Sequence, residues 1–384
     1  MLAGLRVVFA AFDPFPNHKG SGTRIAREVS ALARAGVEVT LVTLAGRGRA
    51  ELPNGVRHLP VRLLEDNYLA RALAFRQAVH RHLLHLRPDR VHARGPFEAE
   101  AALEFGIPLL FEVNGLPSVE LRYHHPQVGT DRAFLGRLVE LERRVLRGAE
   151  AWLTQSQTTA RFLRRVAQMD RDAYVIPNGA ELERYAEARH EGDEVRLIYA
   201  GAISPWQGLG LVLPALRDLK HDPRWQLDVV GGGRKAWQAQ LKDALRGLGL
   251  GGRVRLLGSA SRSEVAAALA ASHVGLCPLR RDLRNRLQGC SPIKAFEYGA
   301  AGLAVLASNL PCNREIYGAE EAAWAFPKRS QFRECLARLL DAPEERRRLG
   351  TAARQAVVER HQWSRRDAAL VKSYEAWAAA RASA

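Results

Sequence analysis

The sequence predicts an α/β protein built from two successive open-sheet domains, on three observations. A chain of 384 residues is longer than one hydrophobic core usually sustains. Short apolar or β-branched runs alternate with longer segments of helical period, which is the pattern of parallel strands joined by crossover helices. The alternation lapses once, in AEARHEGD at 186–193, and a fresh series of strand-like runs then begins.

The first series opens with the strand LRVVFAAF, the loop PFPNHKGSGT, the helix RIAREVSALARAG and the strand VEVTLVTL; further strands are expected at DRVHA, PLLFEV, AWLTQ and AYVIP. The second starts at VRLIYAG and continues through WQLDVVGGG, RVRLLG, VGLCPL and AVLAS, with helices such as KAWQAQLKDALRGLG between them. The expected domains are 1–188 and 189–363, with the last helix, 364–384, returning to the first. Ligands of open parallel sheets collect at the carboxyl ends of the strands. Two such domains in tandem therefore frame a cleft.

Composition narrows the class. Hydrophobic residues make up 47% of the chain, as in globular proteins, and no apolar run reaches the roughly 20 residues that span a bilayer. The start, MLAGLRVVFAAFDPFP, reaches Asp13 and Pro14 without a small-residue cleavage site, so it reads as a buried first strand. Cys277, Cys290, Cys312 and Cys335 show no metal-type spacing, which fits reduced thiols and a cytoplasmic protein. The formal charge of +16 comes mainly from scattered arginines. It suits an anionic substrate or membrane face as well as it suits a plain basic surface. No basic and aromatic stacking platform points to nucleic acid.

Several segments carry candidate chemistry. Gly20-Ser21-Gly22-Thr23 lies between the first strand and first helix, where exposed amides and a positive helix end favour phosphate; a capped tight turn is the plainer reading. Gly231-Gly232-Gly233 follows a strand, and both a close ligand and a simple turn explain it. In YAGAISPWQGLGLVL, Gly201 ends a strand, while Ser204 and Gln207 are candidate donors to phosphate; a turn with Trp206 packed beneath it is the alternative. The densest segment is RRDLRNRLQGCSPIKAFEYGAAG. Ser291 and Pro292 open a helix whose free amides belong to Ile293 and Lys294, a start suited to a diphosphate. Lys294 and Arg286 add positive charge. Glu297, one turn further, presents a carboxylate able to accept both hydroxyl hydrogens of a ribose.

SPIKAFEYGAAG followed by ASNLPCNREI, together with IPNG at Ile176–Gly179, LGSASRSEV and VGLCPL, resembles glycosyltransferase family 4, the retaining GT-B enzymes that use nucleotide sugars. The likeness runs in order along essentially the whole chain. It implies two Rossmann-like domains facing across a cleft, with the nucleotide mainly on the C-terminal one. It also implies a last helix, entered at Gln362-Trp363-Ser364, that crosses back to the N-terminal domain. Glu297 matches the second glutamate of the family's E-x7-E signature, which holds the donor ribose.

Four positions depart from the family pattern. Gly289 stands where the first glutamate belongs, Ala202 and Gln207 replace an arginine and a lysine, and Asn114 takes the place of a frequent histidine. Asn114 can bond a sugar hydroxyl but cannot act as a general base. Glu112 and Glu120 are nearby alternatives, and Arg94 is a candidate phosphate partner.

The expected catalytic set is Asn114, Lys294 and Arg286, without metal or cofactor. The donor set is Gly20, Ser21, Gly22, Gly201, Gln207, Gly231, Gly232, Ser291, Pro292, Ile293, Lys294 and Glu297. The co-substrate is a UDP- or GDP-type sugar, and the acceptor a glycan, lipid-linked or small-molecule hydroxyl. An epimerase of the same fold and a non-catalytic donor-binding subunit are the competing readings. The basic stretch Tyr68–Arg90 fits peripheral contact with an anionic membrane or an ordinary crossover helix.

Overall fold

The computed structural model describes residues 2–17, 20–48, 51–188 and 194–380. The chain divides into two compact units, Met1–Pro177 with Ser364–Ala384, and Asn178–Trp363.

The first unit holds seven parallel strands: β1 (Arg6–Phe15), β2 (Glu38–Ala45), β3 (Val56–Val61), β4 (Arg90–Ala93), β5 (Leu109–Val113), β6 (Ala151–Thr154) and β7 (Ala173–Val175). Their order is β3-β2-β1-β4-β5-β6-β7. The second holds six: β8 (Val195–Ala200), β9 (Trp225–Val230), β10 (Val254–Gly258), β11 (Val274–Cys277), β12 (Ala304–Ser308) and β13 (Ala323–Ala325), ordered β10-β9-β8-β11-β12-β13. Each order reverses direction beside its first strand, as in a doubly wound Rossmann-like sheet.

The strands read as continuous apolar runs because both faces are covered. In β1, Val7, Phe9 and Ala11 enter one core while Val8 and Ala10 enter the opposite one. In β8, Val195, Leu197 and Tyr199 face one way and Ile198 and Ala200 the other. The helix Trp363–Ala379 supplies Leu370, Tyr374 and Trp377 to the core that holds Phe9. Among the described residues no helix is long and apolar enough to cross a membrane.

Two edge strands, β3 and β13, were not expected from the sequence. Pro60 lies within β3, where it is tolerated because an edge strand has one side free of ladder bonds; β13 is only 3 residues long. The domain boundary also moves. Residues 178–188 belong to the second unit, since the Ala180 amide donates to His361 O at 3.0 Å and the Ala188 amide to Ala301 O at 2.8 Å. The rest of the expected linker, 189–193, lies outside the described residues.

Candidate active site

The helix Ile293–Ala300 is placed by contacts from several strands. Tyr298 Oη accepts from the Ala200 amide at 2.8 Å and donates to Leu276 O at 3.3 Å, tying the helix to β8 and β11. Tyr317 Oη donates to Ala295 O at 2.6 Å. A Cβ on Gly299 would come within 2.4 Å of that same Tyr317 oxygen, so the small-residue run reflects packing. Just before the helix, Ser291 is clamped by Asn178, whose amide donates to Ser291 Oγ at 3.0 Å and whose Nδ2 donates to Ser291 O at 2.6 Å. The IPNG motif thereby fixes the helix entrance.

Gly289, one residue before Cys290, has φ +83°, the left-handed region that disfavours a side chain. This turn accommodates glycine where the family pattern has glutamate.

Lys294 is buried. Its Nζ donates to Gln207 Oε1 at 2.5 Å and sits 4.1 Å from the centre of the Tyr199 ring. Burial pushes its ammonium down to about 8; Cys277 and Cys290 oppose the shift, and Arg284 adds to it. Sequence reasoning named Arg286 as the companion cation. The structure leaves Arg286 exposed on the turn Arg284–Gln288. Arg284, which stacks over Trp206 at 5.8 Å, is the arginine whose charge reaches Lys294.

Glu297 is half-buried, and Tyr185 Oη donates to its Oε1 at 3.0 Å. Burial raises its carboxyl, while the Tyr185 hydroxyl and the charges of Arg262, Arg184 and Lys294 pull it back. The carboxylate of Glu297 and the amides of the helix start thus belong to one short surface.

The glycine loops beyond β8 and β9 pack on each other. The Ile203 amide donates to Gly232 O at 2.8 Å. A Cβ at Gly231 would lie 2.0 Å from Gly201 O, one at Gly232 2.6 Å from Ser259 Oγ, and one at Gly233 2.2 Å from Ile203 O. These glycines let the two backbones touch at the carboxyl ends of the strands. Beside them Ser204 Oγ is buried with no hydrogen-bond partner among the described residues, and Trp206 packs edge-on to Trp237 at 5.1 Å.

In the first unit, Gly20-Ser21-Gly22 is not a loop. It forms the first turn of the helix Gly20–Arg34, because β1 extends to Phe15 and Gly22 leaves room for Asn17 O, 2.4 Å from where a Cβ would stand. At the carboxyl end of β5, Asn114 Nδ2 donates to Glu112 Oε1 at 2.8 Å, and Asn114 Oδ1 is buried without a partner among the described residues.

Glu112 is buried between Arg24 Nε at 2.6 Å, His92 Nε2 at 3.1 Å and Arg94 Nε at 3.2 Å. Burial alone would raise it; Arg94, Arg24 and His92 hold it well below the usual carboxylate range. Such a carboxylate organises its neighbours and takes no proton near neutrality. Glu120 is paired with His124 at 3.5 Å.

Glu28, His92 and Glu112 approach one another closely enough to hold a cation. The Arg24 guanidinium stands there instead, 3.0 Å from Glu28 Oε1. Arg366 also pairs with Glu28, and His92 Nδ1 meets Tyr374 Oη at 2.6 Å. Sequence reasoning missed Arg24, Glu28, His92, Arg366, Tyr185, Asn178 and Arg284. Only Asn178 carried a local signal, within IPNG.

Two Rossmann-like units in one chain, with a helix start and a half-buried carboxylate in the second, are the architecture of the GT-B fold. The model for Glycosyltransferase Family 4 matches residues 18–184, and that for Glycosyl transferases group 1 matches residues 183–356. The chain belongs to this family of glycosyltransferases.

Among curated relatives, the MMP alpha-(1->4)-mannosyltransferase of Mycolicibacterium hassiacum is 28% identical over 241 residues, 62% of this chain and 56% of that protein. The GDP-mannose:cellobiosyl-diphosphopolyprenol alpha-mannosyltransferase of Xanthomonas campestris is 30% identical over 138 residues, 36% of this chain and 34% of that protein. The match thus spans about half of the first relative's length and a third of the second's. Among solved structures, sucrose-phosphate synthase of Thermosynechococcus elongatus has a TM-score of 0.82 at 18% identity, covering 98% of this chain and 100% of that one. That likeness shows the fold.

Proposed function

We propose that the protein transfers a hexose-type sugar, with retention of anomeric configuration, from a UDP- or GDP-sugar to a hydroxyl acceptor. The observation that carries the reading is the grouping, in one turn of the second unit, of the Ile293 and Lys294 amides, the Lys294 ammonium and the Glu297 carboxylate. The diphosphate sits on the amides and on Lys294, with the Gln207 amide and the Ser204 hydroxyl as further donors, and the ribose sits on Glu297. Arg284 replaces Arg286 as the second cation. The first unit takes the acceptor side, where Asn114 offers its unpartnered Oδ1 to a sugar hydroxyl.

In the transfer the bond from C1 to the diphosphate oxygen breaks, and its electron pair leaves with the diphosphate. The acceptor oxygen bonds C1 from the same face, and its proton passes to the departing phosphate. Helix amides and Lys294 stabilise the developing charge, so neither metal nor cofactor is required. A mannosyl donor and a lipid-linked acceptor are favoured by the names of the mannosyltransferase relatives.

The test is a thermal-shift screen of UDP-, GDP- and ADP-sugars, followed by NMR of the product anomer with and without chelator. An inverted anomer, or activity restored only by magnesium, overturns the mechanism. An epimer formed from donor alone indicates an isomerase.

Membrane contact has its own support. Leu64, Leu69, Leu73 and Leu84 are exposed, the last three on the helix Tyr68–Leu86, among Arg62, Arg81 and Arg87. The protein docks this face on anionic membranes and reaches lipid-linked acceptors there. Flotation with anionic but not neutral liposomes is expected, and Leu69→Ser with Leu73→Ser abolishes it; equal recovery on both liposome types overturns the idea.

A further inference from the structure

Tyr185 follows the short helical turn Leu182–Arg184 and is buried. Its backbone is held on both sides: its own amide donates to Leu182 O at 3.1 Å, and the Ala188 amide donates to Ala301 O at 2.8 Å. Arg184, alongside, is turned toward Glu181, with Nε donating to Oε2 at 2.8 Å. The phenol therefore reaches Glu297 Oε1 from a fixed base, and a tyrosine has few rotamers to lose in doing so. Among the described residues the other oxygen, Glu297 Oε2, accepts no hydrogen bond.

A carboxylate offers about four acceptor positions. Tyr185 takes one, and the remainder suffice for two hydroxyl hydrogens. What the phenol adds is orientation. A carboxylate on a flexible side chain rotates, whereas one pinned through Oε1 presents a single plane, as capture of two adjacent hydroxyls requires.

We propose that Tyr185 is a positioning residue for the donor ribose, fixing the Glu297 carboxylate so that it captures both the 2′ and 3′ hydroxyls and selects ribonucleoside over deoxyribonucleoside diphosphates. The proposal rests on the reading of this turn as the nucleotide site. A deoxyribose leaves one position of a half-buried acceptor empty, and sites built around a hydroxyl discriminate against its loss. The donor class is then narrowed to ribonucleotide sugars, and deoxythymidine-type donors are rejected.

The experiment measures the affinity of the full chain for UDP against 2′-deoxy-UDP, and GDP against 2′-deoxy-GDP, by calorimetry. The wild type is expected to prefer the ribose form of its base by about 10-fold. In Tyr185→Phe the preference falls to about 3-fold or less, with the fold checked by circular dichroism. In Glu297→Gln the ratio is already lost, and adding Tyr185→Phe changes it no further.

The idea is overturned by a Tyr185→Phe protein that keeps the wild-type ratio, or by one that weakens ribose and deoxyribose forms equally, the mark of a purely packing role. It is also overturned if the effect of Tyr185→Phe persists undiminished in Glu297→Gln. If the wild type binds none of the four nucleotides, the nucleotide-site reading itself fails, an outcome distinct from failure of the tyrosine.

Discussion

Lys294 donates to Gln207 at 2.5 Å from a buried position where its ammonium is pushed down to about 8. The family pattern has a lysine where Gln207 stands; the neutral amide oxygen here accepts a hydrogen bond from Lys294, where a second ammonium would have repelled it. One positive charge is thus held beside one carboxamide.

The sign of the Lys294 shift sets a pH dependence. Below about pH 8 the folded protein carries the buried charge; between about 8 and the ordinary lysine value of 10.5 it releases a proton that the unfolded chain retains. Stability from this group therefore rises with pH in that window. Ligand affinity moves the opposite way, because a diphosphate favours the ammonium. Nucleoside diphosphate affinity should fall above pH 8, by at most about tenfold per unit, and Lys294→Met should flatten the profile. Calorimetry from pH 7 to 9.5 checks it, and a wild-type profile as flat as the variant's would count against it.

Glu142 gives a second pH effect, in stability. It is buried and accepts from Ser118 N at 2.7 Å and Ser118 Oγ at 2.6 Å. Burial pushes it up from 4.5 to about 7 despite those bonds. Between these values the folded state keeps a proton that the unfolded chain gives up. Its contribution is full below pH 4.5 and lost by about pH 7, a swing of about 3 kcal/mol at most. Glu142→Gln keeps an acceptor for the amide and removes the titration. The variant should gain stability relative to wild type from pH 5 to 8, as chemical denaturation will show.

Gly208 has φ +84°, and a Cβ there would lie 1.7 Å from Pro278 O. Gly208→Ala combines a disfavoured backbone with a collision against main chain, and should destabilise the second unit by about 3 kcal/mol or more. A melting temperature unchanged from wild type would contradict this packing.

Arg24 stands between two buried carboxylates, Glu28 and Glu112. Replacing it with methionine keeps the volume and leaves both acids short of a counter-charge. A loss of about 3–5 kcal/mol is expected, with Arg24→Lys recovering part of it. Denaturant titration of the three proteins measures the effect.

What was legible in the sequence was whatever lay within a single span. The helix Ile293–Ala300, its proline entrance and the spacing of Lys294 and Glu297 fall within ten residues, so local rules found them. Arg24 and Glu28 look by spacing like a surface pair on a helix. Nothing nearby says that both are buried, since the groups that hold them, Glu112 and Arg366, are 88 and 338 residues away. Tyr185 is likewise 112 residues from Glu297. The Gly20 segment misled for a local reason: glycines signal loops, whereas here Gly22 admits Asn17 against the first turn of a helix.

The helix Trp363–Ala379 gives the first unit a particular order of assembly. Residues 178–363 form a contiguous unit, all of which is synthesised before residues 364–380. The first unit cannot be completed until those residues follow. Its sheet is synthesised early, but Glu28 and His92 meet Arg366 and Tyr374 only after the second unit has been made. Until then the amino-terminal sheet is a half-finished structure with buried-type acids still open to water, and the helix Trp363–Ala379 is the piece that closes it.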